Sequence, residues 1–139
     1  MSVYLLYVYG SMPFWGLVIT SSGFLLPFLV AKRQKKKRDM VLSAGLTCSS
    51  LWFHTCGSPA SFVVDKIYAH TLGGLFWFEA VYNLWRRHRK IDVVFVATTN
   101  GIIYIYFCKS RVQQGIACHL WHMAMHVVAI TGWLVYLIT

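Results

Sequence analysis

Apolar residues run along this chain in long blocks separated by short polar breaks. Residues 1–31 contain no charged side chain, and neither do residues 112–139. Each stretch can cross a hydrocarbon core of about 30 Å, which takes roughly 20 helical residues. Three further apolar segments lie between them: Met40 to about Gly57, about Phe62 to Trp85, and Ile91 to Cys108. The pattern predicts an all-α, polytopic transmembrane helical bundle of about five spans, over residues 3–31, 40–57, 62–85, 91–108 and 115–138. These form a single integral membrane domain over residues 1–139, because the loops are too short to hold a soluble domain. The fourth span is short and is interrupted by Thr98, Thr99 and Asn100, side chains that bond helix to helix in a bilayer. The N-terminal block has no basic n-region and runs apolar for longer than a signal peptide, so it reads as a retained span.

Composition agrees with this pattern. Hydrophobic residues make up 58% of the 139, and the acidic side chains are only Asp39, Asp65, Glu79 and Asp92. An ordinary soluble domain is far less apolar. The net charge of +9 would suit nucleic acid, but its distribution argues for no nucleic-acid partner. Of the 13 Lys/Arg residues, six fall in "KRQKKKR" (Lys32 to Arg38) and four in "RRHRK" (Arg86 to Lys90). Those runs follow the first and third spans, which five spans place on one side of the membrane. The positive-inside rule makes that side the cytosol or an organelle matrix, with the N-terminus out and the C-terminus in. The runs then serve as orientation signals and as contacts for anionic membrane lipids. Cys56, Cys108 and Cys118 all fall near the outer face; a disulfide there needs an oxidising compartment, and packed thiols are the simpler reading.

Ionisable groups inside a span are costly, so each invites a functional question. His54 lies near the outer end of the second span. Asp65 stands at the mouth of the third, with His70 about one and a half turns deeper. The fifth span opens with "CHLWHMAMH", which holds Cys118, His119, His122 and His126. Three separated segments thus bring their ionisable groups to one leaflet. His122 and His126 are four residues apart, the spacing at which two imidazoles on one helix face grip one metal ion. His54 would complete three ligands and leave a position open for water, the catalytic arrangement for Zn²⁺, which brings the pKa of its water to about 7. Asp65 would orient a ligand or accept a proton. Ser50 lies one turn below His54 on the same face. The bland alternative has the same histidines hydrogen-bonding neighbouring helices. Glu79, on the inner half of the third span, is expected to pair with Arg86 or Arg87. A proton path through His54, Asp65 and His70 is weaker, because these groups cluster in one leaflet.

Ser50, His54 and Asp65 in "SLWFHTCGSPASFVVD", followed by His122 and His126 in "HMAMH", resemble the CREST superfamily of membrane hydrolases. This group includes the alkaline ceramidases, the progestin and adipoQ receptors, and relatives of the GPI-processing phospholipase. The resemblance implies zinc held by His54, His122 and His126, with Asp65 and Ser50 serving the water or the carbonyl of a lipid amide or ester. In an alternative register of the last span, Cys118 or His119 takes the place of one of its ligands. The family is normally built on seven spans, and this chain has room for about five. Missing helices would open one wall of the cavity that holds the acyl chain. The chain therefore carries two expectations. One is a zinc-dependent lipid amidase or esterase. The other is a noncatalytic subunit of a larger membrane complex, such as one of the mitochondrial inner membrane, that retains the metal site and partners other membrane subunits. An endomembrane location fits the sequence equally.

Overall fold

The computed structural model describes residues 15–113 and 116–138, and these fold as helices joined by short turns. The elements are α1 (Trp15–Ser22), α2 (Leu25–Arg33), α3 (Lys37–Cys56), α4 (Pro59–Arg87), α5 (Lys90–Val112) and α6 (Ile116–Ile138). The chain is all-α, as its hydrophobic pattern requires. Residues 3–14 of the expected first span lie outside the described part.

The rest of that first span is broken between α1 and α2, and Pro27 accounts for the break. Proline has no N–H to offer the carbonyl four residues upstream, and its ring clashes with it. That carbonyl is Gly23 O, which accepts instead from Leu26 N at 3.0 Å. The N–H groups of Gly23 and Phe24 turn back to Thr20 O and Ser21 O at 3.1 and 3.2 Å. The chain thereby bends one turn after Thr20.

A second corner is set by the sequence Gly57-Ser58-Pro59. Gly57 ends α3 in the left-handed conformation (φ 60°), its N–H bonding Phe53 O at 2.8 Å. Ser58 caps α4 by accepting from Ser61 N at 3.1 Å, and Pro59 fills the first helical position, where no N–H is missed. Because the turn is this tight, His54 sits one turn before the corner and Asp65 within two turns after it.

Among the described residues, three segments are long and apolar enough to cross a membrane: Trp15–Arg33, Lys90–Val112 and Ile116–Ile138. The chain therefore has the character of a membrane protein. The fourth expected span, short by sequence, is extended in α5 to 23 residues. α3 and α4 match these segments in length, with 20 and 29 residues or about 30 and 44 Å at 1.5 Å per residue, but carry charged side chains at their ends and in their walls.

The bent α1–α2 rod packs on α3 and α6, α3 on α4, α4 on α5, and α5 on α6, so five rods close into a ring. Phe24, Leu46, Leu72, Ile130, Trp133 and Leu137 form the buried core. Two glycines allow the close approaches. A Cβ on Gly45 of α3 would run into the Tyr68 ring of α4, and one on Gly132 of α6 would lie 2.6 Å from Thr99 Cγ2 of α5.

The end of the ring that carries the basic loops is tied by charge. Glu79 of α4 accepts from the Arg38 guanidinium of α3 and from the Tyr136 hydroxyl of α6. The expected pairing with Arg86 or Arg87 is not what forms: Arg38 is brought to Glu79 by the packing of α3 on α4. Asp39, buried, takes a second ion pair from Arg38 at 3.2 Å. The Glu79 carboxylate, and after it Asp39, raise the Arg38 pKa further above its ordinary value. Lys36 Nζ donates to Leu137 O at 2.9 Å, and Asn83 reaches Asp92 across the α4–α5 turn at 2.9 Å.

Candidate metal centre

At the opposite end, His54 from the last turn of α3 meets His122 and His126 from α6. The three ring centroids lie 5.0, 5.2 and 4.9 Å apart, a nearly equilateral triangle, with rings inclined by 63 to 82°. One nitrogen from each ring lies within 4.8 Å of the other two. Tetrahedral zinc with Zn–N bonds of about 2.0–2.1 Å holds its ligands about 3.4 Å apart, so a modest rotation of the rings closes the set. His54 and His126 are buried, and His122 is partly so.

The hydrogen bond of His126 bears on whether a metal fits. Thr20 Oγ1 lies 3.0 Å from His126 Nδ1, and the same hydroxyl is 3.0 Å from Gly16 O and 3.2 Å from Leu17 O. Thr20 has one proton to give. With that proton on the α1 carbonyls, its oxygen accepts from Nδ1–H, and His126 keeps its lone pair on Nε2. That is the tautomer of a metal-ligating histidine whose second nitrogen is held by an outer partner. The α1 residue that does this is placed by the break above Pro27. The donor set therefore fits zinc: three imidazoles from two helices, one of them held by an outer hydrogen-bond partner.

Ser50, one turn before His54, shares a hydrogen bond of 3.0 Å with Ser21 of α1. The buried Asp65 carboxylate accepts from Ser49 Oγ at 3.4 Å and also interacts with Ser50. Among the described residues, neither Cys118 nor His119 belongs to the histidine triangle. Cys118 is buried as a free thiol, and His119 is near enough to His54 to act on it electrostatically. His70 is exposed, with Nδ1 2.7 Å from Lys66 O of its own helix, and it lines the same cavity as Asp65. Cys56 and Cys108 are exposed free thiols, so the expected packing of thiols holds for Cys118 alone.

A cavity of about 520 Å³ runs from this end down the middle of the ring. Ser50, Asp65, Lys66 and His126 line its polar mouth, and Phe76, Phe95, Trp133 and Tyr136 line its deeper part. On α4 the lining extends from Asp65 to Trp77, roughly 18 Å at 1.5 Å per residue. The expected open wall falls between α4 and α5, where the lining residues Trp77 and Tyr104 are 39% and 67% exposed and the cavity reaches the surroundings, while the five rods surround the rest of the space. Gly73 and Gly74 flank that opening; a Cβ on Gly74 would meet no atom within 4 Å.

The spacing of residues did not single out Thr20, Ser21 or Lys66. Thr20 and Ser21 become visible only once Pro27 is recognised as ending a helix that starts above it. Lys66 was legible as the one basic residue within the expected third span.

No protein-family model matches this chain, and neither a curated protein nor a solved structure matches it.

Proposed function

We propose that this protein is a zinc-dependent hydrolase of a lipid amide or ester, embedded in a membrane by five crossing rods. The observation that carries the reading is the convergence of His54 and His122 on His126, which itself lines the polar mouth of an apolar cavity together with Asp65. The resemblance of these residues to the CREST hydrolases supports the same chemistry. The cavity volume lies within the usual range for small-molecule sites, and its apolar walls suit an acyl chain.

Zinc at such a site supplies Lewis-acid polarisation of a carbonyl and acidification of water to a pKa near 7. The chain's own groups do the rest. Thr20 orients His126. Asp65, which lines the same mouth as His126, would take a proton from water and return it to the leaving group, with Ser49 donating to the carboxylate. Ser50, fixed by Ser21, offers a hydroxyl at the mouth. The deep aromatic wall positions the acyl chain and keeps water from it, which strengthens the polar interactions above it. The basic loops face the cytosol or matrix, and the histidine end faces outward, by the positive-inside rule.

The noncatalytic alternative is favoured by the outward face of α5, where Ile91, Val94, Ile102 and Ile105 are exposed. That face fits lipid as well as a neighbouring subunit. Co-purification in fixed stoichiometry with other membrane subunits, with hydrolysis absent, would favour the alternative.

The test is metal content by mass spectrometry on detergent-purified protein, alongside hydrolysis of fluorescent lipid amides and esters. About one zinc per chain is expected, lost in His54→Ala and in His122→Ala. Asp65→Asn should keep the zinc and lose about 10²–10⁴-fold in turnover. A parent protein without zinc sinks the reading.

A further inference from the structure

The mouth of the cavity holds more positive charge than the histidine site requires. Lys66 lines it from α4, with Nζ 5.5 Å from the centroid of the Phe62 ring and 5.0 Å from that of Phe107. Arg111, in the last turn of α5, sets its guanidinium over the same Phe107 ring, with Cζ 5.1 Å from the centroid. Each cation is attracted by the ring. The two also repel one another, since Lys66 and Arg111 are close enough to interact electrostatically. Three of the four carboxylates are engaged at the other end of the ring: Asp39 and Glu79 with Arg38, and Asp92 with Arg89 at 3.1 Å. Asp65 alone stands beside Lys66. Asp65 offsets Lys66, Arg111 adds a second cation beside it, and a divalent metal on three neutral imidazoles would add further positive charge. In surroundings of low dielectric such an excess favours an anion.

We propose that Lys66 and Arg111, aligned on Phe107, form an anion subsite at the cavity mouth that selects lipids with a phosphate-bearing head group. Lysine offers phosphate a compact point charge and arginine a planar fork of donors. Their position fits such a lipid: the phosphate rests outside, the acyl chain lies along the aromatic wall, and the carbonyl region falls between them, beside His126. The inference rests on the hydrolase reading only for the placement of the bond to be cleaved. The anion subsite itself does not depend on it.

The experiment measures binding by the full chain in neutral-detergent micelles. The probes are two lipids with one identical fluorescent acyl chain, a phosphatidic acid and the corresponding neutral diacylglycerol. The parent protein should bind the phosphatidic acid about tenfold or more tighter, the size expected for a charge-assisted hydrogen bond. Lys66→Gln and Arg111→Gln should each remove most of that preference and leave diacylglycerol binding unchanged. Lys66→Arg should retain it. Lys90→Gln, which removes the same charge at the opposite end, should also retain it. Equal binding of the two lipids by the parent protein overturns the proposal, as does a Lys66→Gln variant that loses affinity for both alike. Inorganic phosphate binding as tightly as phosphatidic acid overturns the lipid assignment in favour of a free-anion site. Binding needs no turnover. A retained preference in protein that hydrolyses nothing sinks the hydrolase reading alone, and hydrolysis without a preference sinks this inference alone.

Discussion

Thr20 bears on the proposed metal centre through His126. With its single proton on the carbonyls of α1, its oxygen accepts from His126 Nδ1–H and leaves the Nε2 lone pair for a metal. Thr20→Val keeps the shape and removes the acceptor, and zinc affinity should fall about 10- to 100-fold, as for other outer partners of ligating histidines. Competition with a chelator of known affinity measures this, with helicity by circular dichroism as the control for folding. At this scale the sequence was informative in a specific way. The spacing of His122 and His126 announces one helix face, and the position of His54 at the close of its segment announces the depth at which it meets them. Glu79 was misread for a physical reason. Arg86 and Arg87 are near it along the helix, but Arg38 reaches it from α3, and proximity across a packed interface outranks proximity along a chain.

Among the elements, the hydrophobic blocks gave the helices to within a few residues. They did not give the bend between α1 and α2, although Pro27 carries the signal, because an unbroken apolar run hides a backbone discontinuity from any reading of hydropathy. Nor did they give the distances between helices, which rest on residues that are small. Gly45 faces the Tyr68 ring so closely that a side chain has no room. Gly45→Val should lower the thermal midpoint, with a cost of about 1–3 kcal/mol typical of overpacking. Tyr68→Ala in the same chain should recover part of that loss, because the two positions share one contact. A thermal-shift series in detergent on the two single variants and the double variant checks the coupling.

At the largest scale the described helices close a ring of five rods around a cavity that opens between α4 and α5. This could not be read from the sequence, since no pattern on α4 or α6 states that they stand apart; α5 stands between them on one side of the ring, and α3 with the α1–α2 rod on the other. The opening between α4 and α5 gives the cavity a side entrance at the level of Gly73 and Gly74. If the protein is the proposed hydrolase, Gly74→Trp should narrow this entrance and slow hydrolysis of long-chain lipids while sparing short-chain ones, a difference read from the ratio of their rates. Equal slowing of both would argue that lipid enters elsewhere.

The two ends of the ring are fastened by different means. At the basic end, Glu79 joins α3, α4 and α6 through Arg38 and Tyr136, a knot made wholly from the chain's own atoms. At the histidine end, α3 and α6 meet through imidazoles that a metal would bridge. Chelation should therefore leave one end stiff and slacken the other, and amide hydrogen exchange should rise in the final turns of α3 and the first turns of α6 but not around Arg38. A protein fastened in this way would respond to the zinc supply of its compartment by how tightly its mouth is held.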